Sequence, residues 1–461
     1  MKRLADTSGL RLFVSSGLAA CCMAAIFASL SYAGGFGGIR QNAVGGVMVD
    51  AQGVLRAATV ENREAFLNEV RQRIDLPQGD LAEAAELRMV SLRGLQDAIR
   101  QARADGKPLP DDVRFLAGLT RVEYVLAFPE RNDIVLAGPA EPWKIRDDGS
   151  VVGAISDQPT LHLEDLMIAL QSVETARDGG ISCSIEPTAE GRQRLNNLLR
   201  RVQLRPGQDP RQLEPAMRQA FGPQTIKLNG LPTDSRFARV MVAADFEMKR
   251  LAMHLTESPI RELPSYLELA KNQQQSASSN PRWWMACNYD ALTRTEDRLT
   301  WRLNGPGVKT MTETDKIAAG GEVERSDRQD KTAGRWAELM TENYEQLARS
   351  QSVFGDLRNV IDLSVVATLI VQESLDERAA CQLDALMGEE NGVTLASYKT
   401  PAAVEPQCSF LRGAKGWTVT ASGGVSVNSF EVVQHQQVDP SLSRLHGRAQ
   451  EKATDRWWWN G

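Results

Sequence analysis

The chain has 461 residues, 42% of them hydrophobic and 24% charged, with a formal net charge of −6. That balance belongs to a globular protein with room for two or three domains, and it excludes global disorder. Lys2, Arg3 and Arg11 against Asp6 give the first 33 residues +2, so the remainder carries −8 and lacks the basic surplus of a nucleic-acid binder.

The N-terminus has three parts. Met1–Arg11 is basic, Leu12–Leu30 is apolar, and Ser31-Tyr32-Ala33 places small residues at −3 and −1 of a cleavage site. This predicts a signal peptide over 1–33, cut between Ala33 and Gly34, and an exported protein in the periplasm, the cell envelope or outside the cell. Two alternatives stand beside it. Leu18-Ala19-Ala20-Cys21 has the form of a bacterial lipobox with Cys21 lipidated, although the apolar run continues nine residues further. Left uncleaved, the run is about long enough to span a bilayer. No later stretch matches it, so membrane contact is expected only during export or through an uncleaved or lipidated N-terminus.

Residues 34–46 form a glycine-rich leader. Region 47–272 reads as α/β. Val47–Val49 and Val54-Leu55 flank Gly53 as a hairpin. Leu92, Leu95, Ile99 and Ala102 share one helix face, with Ser91 as N-cap and Gly106 as the stop. Four strands follow over Val122–Phe128, Ile134–Ala137, Trp143–Arg146 and Val151–Ile155, the last two joined by Asp147-Asp148-Gly149-Ser150. A helix is predicted at Leu163–Val173, a strand at Ile181–Ile185 and a helix after Thr188. Ile226–Leu228, Phe237–Ala243 and Met248–His254 read as strands. VLAFPERNDIVLA from Val125 aligns with VMVAADFEMKRLA from Val240, which raises an internal duplication giving two related lobes.

Residues 273–281 are polar and read as a linker. Region 282–434 is a second α+β unit. It holds a helix from Gly355 to about Leu386, apolar nearly all round and therefore buried, and a last hairpin of Trp417–Thr420 with Val425–Val433. Residues 435–461 are a polar tail ending in a tryptophan cluster. The whole is predicted as α+β, with antiparallel hairpins backed by helices and a helical C-terminal part.

Motifs that carry chemistry are sparse. No two of His162, His254, His435 and His446 have ligand spacing, and no Cys-x-x-Cys or Gly-x-Ser-x-Gly occurs. No metal, cofactor or catalytic residue is therefore expected, and the balance leans away from an enzyme. Asp245 and Glu247 would sit at the tip of a 237–254 hairpin, and Asp234 lies close by. The enzyme alternative is a hydrolase using Asp234 and Asp245, which requires one carboxyl raised by burial. Of the cysteines beyond the signal, Cys183, Cys287, Cys381 and Cys408, a Cys381–Cys408 bridge is the expected pairing in an exported protein. Four buried thiols are the alternative.

The aromatics are the strongest binding signal. Trp283 and Trp284 are adjacent on a strand and point to opposite faces. Trp457, Trp458 and Trp459 end a polar tail, where exposed they would cost solubility. All five are candidate contacts for an envelope protein or a cell-wall glycan, with docking on the chain itself as the bland alternative.

GGVMVDAQGVLRAATV from Gly45, FLAGLTRVEYVLAFPERNDIVLAGPAEPWKI from Phe115, PTDSRFARVMVAADFEMKRLAM from Pro232, PRWWMACNYDAL from Pro281 and VFGDLRNVIDLSVVA from Val353 resemble an uncharacterised exported family of planctomycete bacteria. The resemblance spans roughly 44–375. It implies a bacterial exported protein and brings no activity or site residue. The leading expectation is a non-catalytic binding or structural protein of the cell envelope. A lipid-anchored scaffold held through Cys21 is the other alternative.

Overall fold

The computed structural model describes residues 47–50, 53–57, 60–202, 210–270, 279–317, 323–325, 330–388, 395–409, 419–454 and 456–461. Cys21, Ala33, Gly34, the 34–46 leader and most of the 273–281 linker lie outside them.

Strands β1 (Val47–Val49) and β2 (Val54–Ala57) form the expected hairpin, with Gly53 at φ +82°. Helix α1 spans Val60–Arg73. Strand β3 (Ala85–Ser91) runs straight into α2 (Leu92–Ala104), where Ser91 Oγ accepts from Gly94 N–H at 2.9 Å. Strands β4 (Tyr124–Phe128) and β5 (Asp133–Ala140) pair, as do β6 (Trp143–Ile145) and β7 (Val151–Gly153). Then come α3 (Leu163–Gln171), β8 (Ile181–Glu186), α4 (Ala189–Arg201), α5 (Glu214–Phe221), β9 (Gln224–Asn229) and α6 (Arg236–Ala252). Beyond the predicted linker are β10 (Ser279–Asn288), β11 (Leu292–Arg294), β12 (Thr300–Arg302), β13 (Gly307–Ile317) and β14 (Val323–Arg325). Helices α7 (Lys331–Glu342), α8 (Tyr344–Ser350) and α9 (Ser352–Gln372) follow. The chain closes with β15 (Ala403–Val404), β16 (Cys408–Ser409), β17 (Val419–Thr420), β18 (Ser422–Val427), β19 (Gln436–Val438), α10 (Leu442–Glu451) and β20 (Trp458–Asn460).

The fold is α+β. One sheet has nine strands in the order β1-β2-β15-β9-β8-β18-β10-β13-β14, and another has seven in the order β19-β11-β12-β4-β5-β3-β20. A single apolar core runs from Leu55, Ile185 and Val425 of the first, through Ile361 of α9, to Val125 and Leu136 of the second. Leu126, Phe128 and Val135 face the other side of the seven-stranded sheet, where Ala449 of α10 and Trp459 cover them.

Helix α9 is buried at every residue from Ser352 to Ile370, as its all-round apolar pattern predicts. Its polar side chains therefore need partners inside the protein. Arg236 donates to Asp356, Arg358 to Gln158, and Arg121 and Tyr289 to Asp362. The helix ends at Gln372 rather than near Leu386, with Ser374 at φ +49° just beyond it.

Several expectations are corrected. Phe237–Ala243 and Met248–His254 are not strands; apart from His254 and Met253 they lie in α6, whose cap Ser235 accepts from Ala238 N–H at 3.1 Å. Only Glu247 and Arg250 escape burial in α6, so the apolar run has no polar face to mark a helical period. The duplication fails with it, because VLAFPERNDIVLA is the β4–β5 hairpin and its aligned string is helix. The described residues do not form two related lobes. Nor do 47–272 and 282–434 build separate units, since each of the two large sheets draws strands from both, and the 435–461 tail adds β19, α10 and β20.

The last hairpin is also corrected: Trp417 lies outside the described residues, and Val419–Thr420 pairs with Cys408–Ser409 instead. Strand β18 inserts between β8 and β10, and Ser429–Gln434 is a short helix. Its glycines serve close approach rather than a turn. A Cβ on Gly423 would sit 1.8 Å from Trp283 O, and one on Gly424 1.8 Å from Cys183 O. Gly423→Ala, at φ +121°, is expected to cost about 2–3 kcal/mol, read from a denaturant midpoint. An unchanged midpoint would contradict the close approach.

Cys381 is a buried free thiol, so it does not bridge Cys408. The turn carrying it packs near Asp133 and Ile134 of the seven-stranded sheet, whereas Cys408 lies in β16, beside α5.

Candidate functional site

Trp283 is core: its indole N–H donates to Ala333 O at 3.2 Å, and its ring lies 4.8 Å from Trp336 and 5.3 Å from Tyr266. Trp284, on the opposite face of β10, is half-buried with the Arg282 guanidinium 4.8 Å over its ring. Arg282 is itself held by Glu186 at 2.8 Å. This pair is thus largely covered by its own chain.

The terminal tryptophans dock on the protein itself. In β20, Trp458 pairs with Val90, Trp459 with Met89 and Asn460 with Arg88. Trp458 and Trp459 are buried, and Trp457 is half-buried. Ser91 N–H donates to Trp457 O at 2.8 Å and Gly461 N–H to Leu87 O at 2.7 Å, fixing the chain end at both sides. A Cβ on Gly94 would lie 2.7 Å from Trp457 Cβ, so a glycine in the first turn of α2 makes room for the strand.

Where this strand meets α2, a groove of about 840 Å³ opens. One wall is the 78–81 turn, the floor is the first half of α2, and the other wall is Thr454 and Arg456–Trp458, with Arg131 at one end. Arg88, buried beneath, ties the walls together. It donates to Glu83 O at 2.8 Å, to Ala117 O at 2.7 Å and to Asn460 Oδ1 at 2.9 Å, and lies 5.0 Å over the Trp458 ring. Burial pulls its pKa down to about 10, opposed by Asp80. Ala117 belongs to a left-handed run, Leu116–Gly118 at φ +44°, +54° and +78°, which aims its carbonyl at Arg88. Across the mouth, Arg456 is paired with Asp80.

Asp234 and Asp245 do not converge. Asp234 is exposed and accepts from Ser397 Oγ at 2.9 Å. Asp245 is fully buried in α6, where Lys249 Nζ donates to its Oδ2 at 2.8 Å and also reaches Ile185 O and Gly423 O. Burial pushes Asp245 up to about 6 against the pull of Lys249, but no open cleft reaches it. The same burial drives the Cys183 thiol well above its ordinary range, which makes it inert.

A denser buried cluster surrounds Arg236, at the start of α6. It pairs with Asp165, with Asp356 at 2.8 Å and with Glu164 at 3.9 Å, while Tyr398 donates to Glu164 at 3.0 Å. Three carboxylates thus face one guanidinium. Burial pushes Asp165 up to about 7, and its Oδ1 makes no hydrogen bond. His162, alongside, is held well below its ordinary value by burial and by Arg236.

Among the described residues no group of three or more His, Cys, Asp or Glu could hold a metal ion, and no helix is long and apolar enough to cross a membrane. Residues 183–266 match the family model Protein of unknown function (DUF1598). The matched stretch runs from β8 through α6 and holds both Arg236 and the Asp245–Lys249 pair. The groove lies outside it. No curated protein and no solved structure matches the chain.

Sequence reasoning named Trp457 but missed Arg88, Arg93, Gly94 and Arg131. No local pattern joins them, because the strand they meet is the end of the chain.

Proposed function

We propose that this is an exported, non-catalytic binding protein of a bacterial cell envelope, with the groove beside Trp457 as its ligand site. The observation that carries the reading is the groove itself. The last strand of the chain is docked to form one wall, and it leaves a half-buried indole among polar side chains. Such a mixture of a flat aromatic and convergent polar groups is what a binding site needs. Export rests on the three-part sequence before Gly34, and the planctomycete setting on the resemblance of the long strings. A cell-wall glycan or an envelope protein is the partner expected. Lipidation at Cys21 would change the anchoring and leave the groove as it is. The hydrolase reading loses its two carboxylates, which share no cleft.

The test is capture from a cross-linked envelope fraction, using the full chain tagged within the 34–46 leader so that the C-terminus stays free. Trp457→Ala is expected to lose the captured material at least tenfold, and Trp284→Ala to keep it. Equal capture by both variants would overturn the reading.

A further inference from the structure

We infer that the ligand of this groove is a sugar bearing a carboxylate; the inference rests on the binding reading above. Two of the three acids on the groove walls are paired with arginines. Asp80 is paired with Arg456, Asp97 with Arg100 at 3.0 Å, and Asp112 is half-buried and accepts from Val113 N–H at 2.9 Å. Two of the cations form no direct ion pair; the buried carboxylate of Asp133, which accepts from the Arg93 backbone N–H at 3.2 Å, is the opposing charge that both feel. Among the described residues, Arg93 and Arg131 have no carboxylate within ion-pairing distance; Arg93 is exposed, and Arg131 lies 5.6 Å over the Trp459 ring. A guanidinium fork is matched by a carboxylate, which it binds with two parallel hydrogen bonds.

The rest of the lining points to a sugar. Trp457 offers an apolar face of the size of a pyranose ring. Gln78 and Gln101 line the same groove and supply amide donors and acceptors for hydroxyl groups. A peptide would dock best by adding a strand to a sheet edge. On this side β20 covers β3 over only three residues and is itself the edge strand of the sheet, so the pentaglutamate titration tests that route directly.

The Arg456–Asp80 pair then acts as an internal competitor. Both side chains are 62% exposed, so the contact is one that an incoming carboxylate can displace. Removing Asp80 should release a third guanidinium to the ligand.

Calorimetric titration of the full chain from Gly34 tests this with trigalacturonic acid, maltotriose and pentaglutamate as probes. Trigalacturonic acid is expected to bind at least tenfold more tightly than either of the others, and to weaken as sodium chloride is raised. Arg93→Gln, at an exposed position, is expected to weaken it about tenfold with its unfolding midpoint unchanged, and Asp80→Asn to tighten it several-fold. Equal binding of maltotriose, insensitive to Arg93→Gln, would overturn the acid and leave the groove as a binding site. Equal binding of pentaglutamate would overturn the sugar. If no probe binds while envelope capture still depends on Trp457, the ligand class falls and the binding reading survives. If capture is also independent of Trp457, both fall.

Discussion

Arg236→Met is expected to destabilise the protein by about 3–5 kcal/mol at pH 8 and by clearly less at pH 5. The variant leaves Glu164, Asp165 and Asp356 buried around an apolar side chain, and an uncompensated buried charge costs about that much. The pH dependence follows from the direction of the shifts. In the native chain burial raises Asp165 to about 7, and raises Glu164, Asp356 and, to about 6, Asp245. A carboxyl raised on folding binds its proton more tightly in the native state. Its stabilisation is therefore complete below the unfolded value near 4 and is lost as pH climbs through the folded one. For Asp165 that loss falls between pH 4 and pH 7. His162 works the other way, since its lowered value costs stability only as pH falls below about 6.5. Between pH 6 and 8 the carboxyls therefore dominate, and the native protein should melt at a lower temperature at pH 8 than at pH 6. Asp165→Asn should flatten that slope, because it removes the most strongly raised carboxyl and leaves Arg236 with two partners. Removing Arg236 raises the three carboxyls further, so the penalty grows with pH. Melting curves for the three proteins across pH 5–8 check this. A penalty for Arg236→Met that is constant with pH would contradict the buried three-to-one cluster.

What the sequence made legible was local. Ser91 caps α2 and Gly106 stops it, as predicted, because both signals lie within a turn of the helix they bound. Asp147–Ser150 makes the β6–β7 turn, with Gly149 at φ +80°. The burial of α9 was legible because it is apolar over many residues. Helix α6 was not, for a related reason. It too is buried nearly all round, but its apolar run is cut by charges that find partners inside the protein, so Asp245 and Glu247 read as the tip of a hairpin and Lys249 as part of its second strand. The Gly423-Gly424 pair reads as a turn by composition and is in fact a notch for two neighbouring strands, a distinction that depends on the neighbours. The candidate site was legible only in part. Three tryptophans at the end of a polar tail must dock somewhere, and that they dock on β3 rather than on a partner is a tertiary fact. Arg93 and Arg131 gain their meaning from a strand more than 300 residues away.

Arg88→Met is expected to free the C-terminal strand and to destabilise the protein by about 3 kcal/mol. The side chain is fully buried, and three of its hydrogen bonds hold otherwise separate pieces: the 83 turn, the left-handed 117 turn and Asn460. Methionine fills much of the volume but leaves two carbonyls without a donor, each at about 1–3 kcal/mol. The strand is the weakest of the three pieces, with only three paired residues at the edge of its sheet. Its release should therefore precede global unfolding. Hydrogen exchange at the amides of Trp458–Asn460 and Met89–Ser91 should accelerate far more than exchange in α9. Envelope capture should fall with it, although Arg88 lies beneath the groove and outside its lining, because one wall is then gone. Arg88→Lys separates shape from charge: a lysine keeps the cation but cannot reach all three acceptors in the fixed geometry of the fork. It should recover part of the stability and little of the protection in β20. If β20 stays protected in Arg88→Met, the strand is held by Trp458 and Trp459 alone, and the groove does not depend on the clasp beneath it.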